Sequence, residues 1–309
     1  MPELPDVVVY VERLAALLCG QQLMGVRIRN PALLRTAEPP LSEAYGRALC
    51  GVERSGKRIV FELAGERFLV LHLMIAGRLK LRPLGAALPG KVGSAAFDFE
   101  RATLLLTEAS SHKRAQLHVV VGRAALAAFA RGGVEVLQCD KAAFARALRA
   151  ESHTLKRALT DPRLFSGIGN AYSDEILHRA RLSPVTLTGR LDDAQIARLY
   201  QATREVLTEW TERLRAQAGA ALPEHVTAFR PEMAVHGRYG QPCPACGTKV
   251  QRIVYAKNET NYRPSCQTGG KLLADRALSR LLKQDWPRTL TELEEHMEQR
   301  RKPTREPAA

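Results

Sequence analysis

The sequence predicts an α+β fold built in successive parts, and three observations carry that prediction. A helical stretch opens the chain and is followed by eight short strand-like runs separated by turn residues. Near Gly122 the texture changes to Ala-rich, helix-forming segments. A late Cys-Pro-Ala-Cys-Gly stretch marks a third, small part. The 309 residues leave room for two or three domains, and a hydrophobic content of 45% is ordinary for a chain that buries a core.

In chain order, Val8, Val9, Leu14, Leu17 and Leu18 recur with mostly helical spacing and stop near Gly20. This predicts a helix over 7–19 that anchors the N-terminus. Strands are predicted over 23–28, 48–54, 58–63, 67–73, 77–81, 95–99, 102–107 and 115–121, paired antiparallel in a sandwich or a barrel. Gly56-Lys57-Arg58 falls at the turn between two of them, where an exposed basic turn is the simpler reading of the three residues alone. The stretch 124–150, broken by Gly132-Gly133, reads as a hinge into a helical part, with helices over 144–150 and 155–159. From Phe165 to Leu177 two helical stretches are joined by a glycine-bracketed turn, which aims backbone N–H groups at an anion such as a phosphate. The segment 192–216 is amphipathic, with Ile196, Leu199, Val206, Leu207 and Trp210 near one face, and reads as a core helix.

The third part spans 233–270. Cys243-Pro244-Ala245-Cys246-Gly247 has the spacing of one half of a tetrahedral zinc site. The other half is expected near 262–267, where Tyr262-Arg263-Pro264-Ser265-Cys266 supplies one cysteine instead of two, so the thiolate set is incomplete. Cys19, Cys50 and Cys139 stand apart from this cluster, and six cysteines in such a long chain argue against a disulfide framework. Segments 272–283 and 289–300 read as helices and the residues from Arg300 onward as a solvated basic tail.

A formal net charge of +14 and a pI near 9.9 predict attraction to a polyanion, nucleic acid first among them. A membrane surface, or plain solubility, is the other reading of that charge; no run of 18 apolar residues and no signal-peptide pattern is present, so the protein is expected in the cytoplasm, with no membrane partner. The first residues by themselves read most simply as a frayed terminus, yet they also offer chemistry. Removal of Met1 ahead of the small residue Pro2 leaves a secondary amine at the head of the chain. An α-amine has a reference pKa of about 8, so part of it is neutral and nucleophilic at physiological pH. Attack on a sugar aldehyde carbon gives an iminium, and Glu3 beside it can move the proton.

Assembled in order, Pro2-Glu3-Leu4-Pro5, Lys57 at its strand turn, Gly167-Ile168-Gly169-Asn170-Ala171-Tyr172 and the terminal Cys266-Gln267 resemble the formamidopyrimidine-DNA glycosylase and endonuclease VIII family of DNA repair enzymes. The likeness runs from Pro2 to about Gln267. It implies an N-terminal helix on a two-layered antiparallel β-sandwich over 1–128, a helix–two-turn–helix DNA-binding domain over 129–230 and a zinc-ribbon-like β-hairpin over 231–270. Residues 271–309 are left as a helical extension with a basic tail. The resemblance also implies that Pro2 is the nucleophile, Glu3 the acid and base, and Lys57 a second essential cation. His72, in His72-Leu73-Met74-Ile75-Ala76-Gly77, matches the family's His-Leu-Gly-Met-Ser-Gly and implies a phosphate contact, as do Asn170 in the turn and Lys156 near the DNA. The implied activity is a bifunctional DNA glycosylase and abasic-site lyase of base excision repair, acting by a proline Schiff base and β,δ-elimination on an oxidised base everted from the duplex. The implied partner is damaged double-stranded DNA met by a monomer at the nucleoid, with structural zinc as a candidate and no organic cofactor.

Three departures from the family stand out. The loop that fills the hole left by the everted base normally carries Asp-x-Arg-x-Phe-Gly; here Thr107 to Ala115 lacks the phenylalanine, Ile75 takes the methionine slot, and Arg114 and His112 read as exposed loop charges first and as fillers of the gap second. The finger arginine is replaced by Asn258, with Lys257 beside it. Arg263 stands where a zinc cysteine belongs, so Cys243, Cys246 and Cys266 either take a fourth ligand, His236 being nearest in sequence, or the hairpin stands without metal and the Arg263 guanidinium sits where the ion would. A non-excising binder of abasic or distorted DNA, and a lyase for abasic sites alone, are the two other readings that these departures leave open.

Overall fold

The computed structural model describes residues 1–255, 258–274, 287–293 and 295. Its first helix, α1 (Leu4–Leu18), begins three residues earlier than its apolar spacing suggests. Pro5 suits the first turn, where its missing N–H leaves nothing unpaired, and the Asp6 carboxylate accepts the Glu3 N–H at 2.9 Å. Val7, Tyr10, Leu14 and Leu18 are then buried on the core side.

Eight antiparallel strands follow: β1 (Gln22–Ile28), β2 (Arg47–Ser55), β3 (Arg58–Leu63), β4 (Arg67–His72), β5 (Gly77–Pro83), β6 (Gly93–Phe99), β7 (Ala102–Glu108) and β8 (Gln116–Val121). Their order is β5-β7-β6-β1-β2-β3-β4-β8. The two four-stranded halves share only the pairs Gln22↔Ala48 and Leu23↔Arg47. Bulges at Leu23/Gly25 and Leu49/Gly51 flank that junction, and a bulge bends its strand. The halves form the two layers of a sandwich: Phe61 of one stacks on Phe97 of the other with ring centroids 6.2 Å apart. Alternation along β3 sets the layers, since Ile59, Phe61 and Leu63 enter the main core while Val60 joins Phe68, Val70 and Val120 on the other face. Each such side chain contributes about 1.5–3 kcal/mol of burial.

The described residues form two compact units. One comprises Met1–Ala150, Leu159–Gly169 and Arg204–Ala228; the other comprises Glu151–Ala158, Asn170–Thr203 and the described residues from Phe229 onward. The first unit contains α1, the sandwich, α2 (Arg123–Ala127) and α3 (Lys141–Arg149). The Asp140 carboxylate caps α3 through the Ala143 N–H at 2.7 Å, which starts this helix three residues before the predicted 144. The second unit contains α5 (Asn170–Arg179), the hairpin β9 (Gln251–Tyr255) and β10 (Asn258–Tyr262), and α7 (Pro264–Gln267). Two helices run from one unit into the other, α4 (Leu155–Thr160) and α6 (Asp193–Ala218).

Two expectations are corrected. The chain before the glycine turn is not helical, because Leu164 and Phe165 N–H groups both return to the Asp161 carbonyl as a closed turn. The helix predicted from 272 does not begin there: Leu272 donates to the Arg288 carbonyl and Leu273 to the Tyr262 hydroxyl, each at 2.8 Å, and residues 271–274 are not helical. Residues 275–286 and 296–309, which hold the rest of the predicted helices and the basic tail, lie outside the described residues, as does Lys257. Among the described residues no helix is long and apolar enough to cross a membrane.

Candidate active site and C-terminal hairpin

The head of α1 is enclosed by the turn that precedes α5. Leu4 N–H donates to the Gly167 carbonyl at 2.9 Å, and the Gly169 N–H donates to Glu3 Oε2 at 2.7 Å. Gly167 has φ +83, and a Cβ there would lie 2.8 Å from the Leu4 Cβ. A Cβ at Gly169 would fall on the Glu3 carboxylate and 2.6 Å from Lys57 Nζ. The two glycines therefore do more than turn the chain: they leave the space in which the Glu3 carboxylate and the Lys57 ammonium converge.

Lys57 arrives there from the two-residue turn between β2 and β3, closed by the pair Ser55↔Arg58, with Gly56 at φ +62. Pro2 and Glu3 are both buried beneath Met1. The α-amine at Met1 is held below its ordinary value of 8.0, chiefly by burial; Glu3 and Asp6 oppose the shift while Arg78 and Lys57 reinforce it. Removal of Met1 would bring the amine onto Pro2, within the same surroundings.

A cavity of about 610 Å³ opens beside this group, lined among others by Met1, Lys57, Arg58, His72, Arg131 and Ser166. His72 closes β4, where it pairs with Arg58 on one side and Gln116 on the other. Burial pushes its imidazole down to about 4, helped by the charges of Arg58, Lys57 and Arg131, so it stands neutral with one N–H to donate. Glu135 joins the cavity wall to the strands: its carboxylate accepts from both Arg54 and Ser166. Arg54 and Glu135 were not singled out from sequence, since two charges 81 positions apart carry no local signal.

The loop expected to fill the vacated base position is pinned by Glu108. That carboxylate is buried and accepts from Ser94 Oγ at 2.8 Å, Arg114 N at 2.7 Å and Ala115 N at 2.9 Å. Arg114 and His112 project from the loop as exposed side chains, and Ile75, in the turn between β4 and β5, is 61% exposed. Met24 and Leu84 of the same sandwich are each 56% exposed, so what distinguishes Ile75 is its place in the turn directly after His72.

In the second unit Asn170 opens α5, and its amide donates to the Glu259 carbonyl of β10 at 2.9 Å. Lys156 does not point outward as a solvated lysine would. Its ammonium lies 2.6 Å from Asp174 Oδ1 and 2.6 Å from the Asn170 carbonyl. Asp174 is buried and also receives His236 Nδ1 at 2.8 Å and the Asn261 N–H at 3.2 Å. Its neighbour Glu175 accepts three consecutive N–H groups, Ala234, Val235 and His236, and burial still pushes its carboxyl up. These two acids sit inside the stretch 165–177 read from sequence, where nothing sets them apart from other helical carboxylates; their burial belongs to the fold. Asn258 lies in β10.

The zinc ligands were tested against the same geometry. His236 holds Asp174 through Nδ1 and stacks on Phe229, and among the described residues it belongs to no group of ligand atoms close enough to share an ion. His178 instead faces Cys243, with Nε2 3.5 Å from Sγ. Cys243 Sγ also accepts from Arg263 Nη1 at 2.7 Å, while Cys246 Sγ pairs with Thr248 Oγ1 at 2.9 Å. Among the described residues no three of these cysteines and histidines bring their ligand atoms within 4.8 Å of one another. A dication about 4 Å from the Arg263 guanidinium would meet roughly 8 kcal/mol of repulsion at an effective dielectric of about 20. The residues present do not fit a zinc ion.

The two-layered antiparallel sandwich followed by a helical part is the fold of a class of DNA glycosylases. Residues 1–127 match the formamidopyrimidine-DNA glycosylase N-terminal domain, and residues 134–218 match the formamidopyrimidine-DNA glycosylase H2TH domain. A formamidopyrimidine-DNA glycosylase of Thermus thermophilus is 37% identical over 280 residues, covering 87% of this chain and 100% of the relative. An uncharacterised formamidopyrimidine-DNA glycosylase-like protein of Mycobacterium tuberculosis is 42% identical over 151 residues, covering 49% of this chain and 94% of that protein. Among solved structures, MutM in complex with carbocyclic 8-oxo-G containing DNA superposes with a TM-score of 0.77 at 25% identity, covering 86% of this chain and 100% of that one. A Lactococcus lactis Fpg bound to abasic-site DNA gives 0.75 at 25% identity, covering 86% and 99%. The chain belongs to the formamidopyrimidine-DNA glycosylase family.

Proposed function

We propose that this protein is a bifunctional DNA glycosylase and abasic-site lyase of base excision repair, acting on damaged double-stranded DNA in the cytoplasm, with Pro2, Glu3 and Lys57 as its reacting groups. The observation that carries this is the convergence of Glu3 and Lys57 on Gly169, beside an α-amine whose pKa is already lowered. After loss of Met1, the Pro2 nitrogen attacks C1′ of the everted nucleoside and the glycosidic bond breaks as the base departs with a proton. Glu3 protonates the ring oxygen, the sugar opens, and the positive iminium nitrogen acidifies the C2′ proton. Loss of that proton expels the 3′ phosphate, and a second elimination expels the 5′ phosphate. Lys57, Arg58 and neutral His72 supply donors for the flanking phosphates, and exposed Ile75 is the apolar wedge left to fill the gap in the duplex. Arg114 is the charged contact from the separate loop between β7 and β8.

Borohydride added during reaction with an abasic duplex should leave a covalent adduct on Pro2, and Pro2→Gly should lose most of it. Wild-type protein that forms no adduct, or a Pro2→Gly variant that traps equally well, would end this reading. Run beside a panel of oxidised purine, formamidopyrimidine and oxidised pyrimidine duplexes, the same assay separates base excision from an abasic-only lyase and from binding without cleavage.

A further inference from the structure

Arg263 is among the largest fully buried side chains of the protein, with 2% of its surface exposed. A guanidinium cannot shed its charge in a protein, so a buried one has to be matched by an electron-rich partner. That partner is Cys243 Sγ, 2.7 Å from Nη1. Cys243 opens a turn that is folded as a metal knuckle would be: its N–H donates to the Thr248 carbonyl at 2.9 Å, its carbonyl accepts Gly247 N–H at 2.9 Å, and its sulfur accepts the Ala245 N–H at 3.4 Å. Arg263 directly follows β10, and its own N–H is fixed by the Gln267 side chain at 2.7 Å, which in turn reaches the Leu182 carbonyl at 2.9 Å. The guanidinium therefore spans the same two pieces of chain, knuckle and hairpin, that a bound ion would join.

We infer that the C-terminal hairpin of this chain is a metal-independent finger, in which the contact between the Arg263 guanidinium and the Cys243 sulfur replaces the zinc ion as the link between the 243–247 turn and strands β9 and β10. The turn, the histidine facing it and the hairpin survive as a folded module because one fixed positive charge stands in the place of another.

The test uses the full chain and needs no DNA, so its outcome is independent of the proposed activity. Wild-type protein purified from zinc-supplemented cells should carry no stoichiometric zinc by elemental analysis. Amide exchange over 251–262 should be unchanged by a strong chelator. Arg263→Met should raise exchange over 251–262 at least about tenfold while leaving exchange in β2, β3 and β4 unchanged. Arg263→Cys, which restores a thiolate at that position, should take up one zinc per chain and make hairpin protection sensitive to chelator. One equivalent of zinc in the wild type, removed by chelator together with hairpin protection, overturns the inference. Wild-type protection in Arg263→Met overturns it as well.

Discussion

Gly169 lacks a side chain where Glu3 and Lys57 need the room. Gly169→Ala should therefore displace one of these two groups, proposed above as reacting groups, without emptying the core. A misplacement near 1 Å costs about a hundredfold in rate, so single-turnover trapping should fall by that order while the thermal melt moves little. An alanine variant that traps as fast as the wild type would show that the convergence is not needed. His72 makes a different demand. Its imidazole is kept neutral by burial and by Arg58, Lys57, Arg131 and His118, with a value of about 4 in the folded state against 6.5 when free. The unfolded chain takes up a proton as pH falls through 6.5 and the folded chain only near 4, so stability declines across that window and is full above it. The decline from this one residue is at most about 3 kcal/mol. Denaturant melts at several pH values should show it, and His72→Gln should flatten the slope between pH 6.5 and 4.

At the scale of elements, α5 is the hub of the second unit. Asp174 takes Lys156, His236 and the backbone of β10, and Glu175 takes the three N–H groups of 234–236. One helix thus fixes the 229–237 segment and the hairpin through two adjacent carboxylates. Asp174→Asn leaves the Lys156 ammonium buried without its counter-charge, a loss of about 3–5 kcal/mol for a pair this enclosed. Amide exchange should report the loss over α5 and 258–262 while the sandwich strands keep their protection. Uniform destabilisation of both units would contradict it.

For the whole molecule, the surplus of 46 basic over 32 acidic residues governs how it meets a polyanion. Several arginines are already spent on internal pairs, Arg27 with Asp98, Arg82 with Glu224 and Arg215 with Glu12 among them. The charge left over predicts binding that is dominated by phosphates. Affinity for a duplex carrying an abasic analogue should drop by about a thousandfold between roughly 50 and 200 mM salt, read by fluorescence anisotropy. A flat dependence on salt would remove the phosphate-dominated picture.

What the sequence determined by itself was whatever repeats over a few residues or survives as a short motif. The eight strands of the sandwich were legible because strand-forming runs and the turn residues between them are local, and the Pro2-Glu3 start, Lys57 and the glycine turn were legible through the family resemblance that such short motifs carry when taken together. The tertiary structure decided which of these meet. The Gly169 N–H finds Glu3 across 166 positions, Lys156 turns inward to Asp174, and His178 rather than His236 faces Cys243. Arg263, which in sequence is only a missing ligand, becomes the group that fills the position. The physical reason is the same in each case: burial penalises a charge or donor that lacks a partner, and partners separated by tens of residues leave no periodicity for a linear reading to detect.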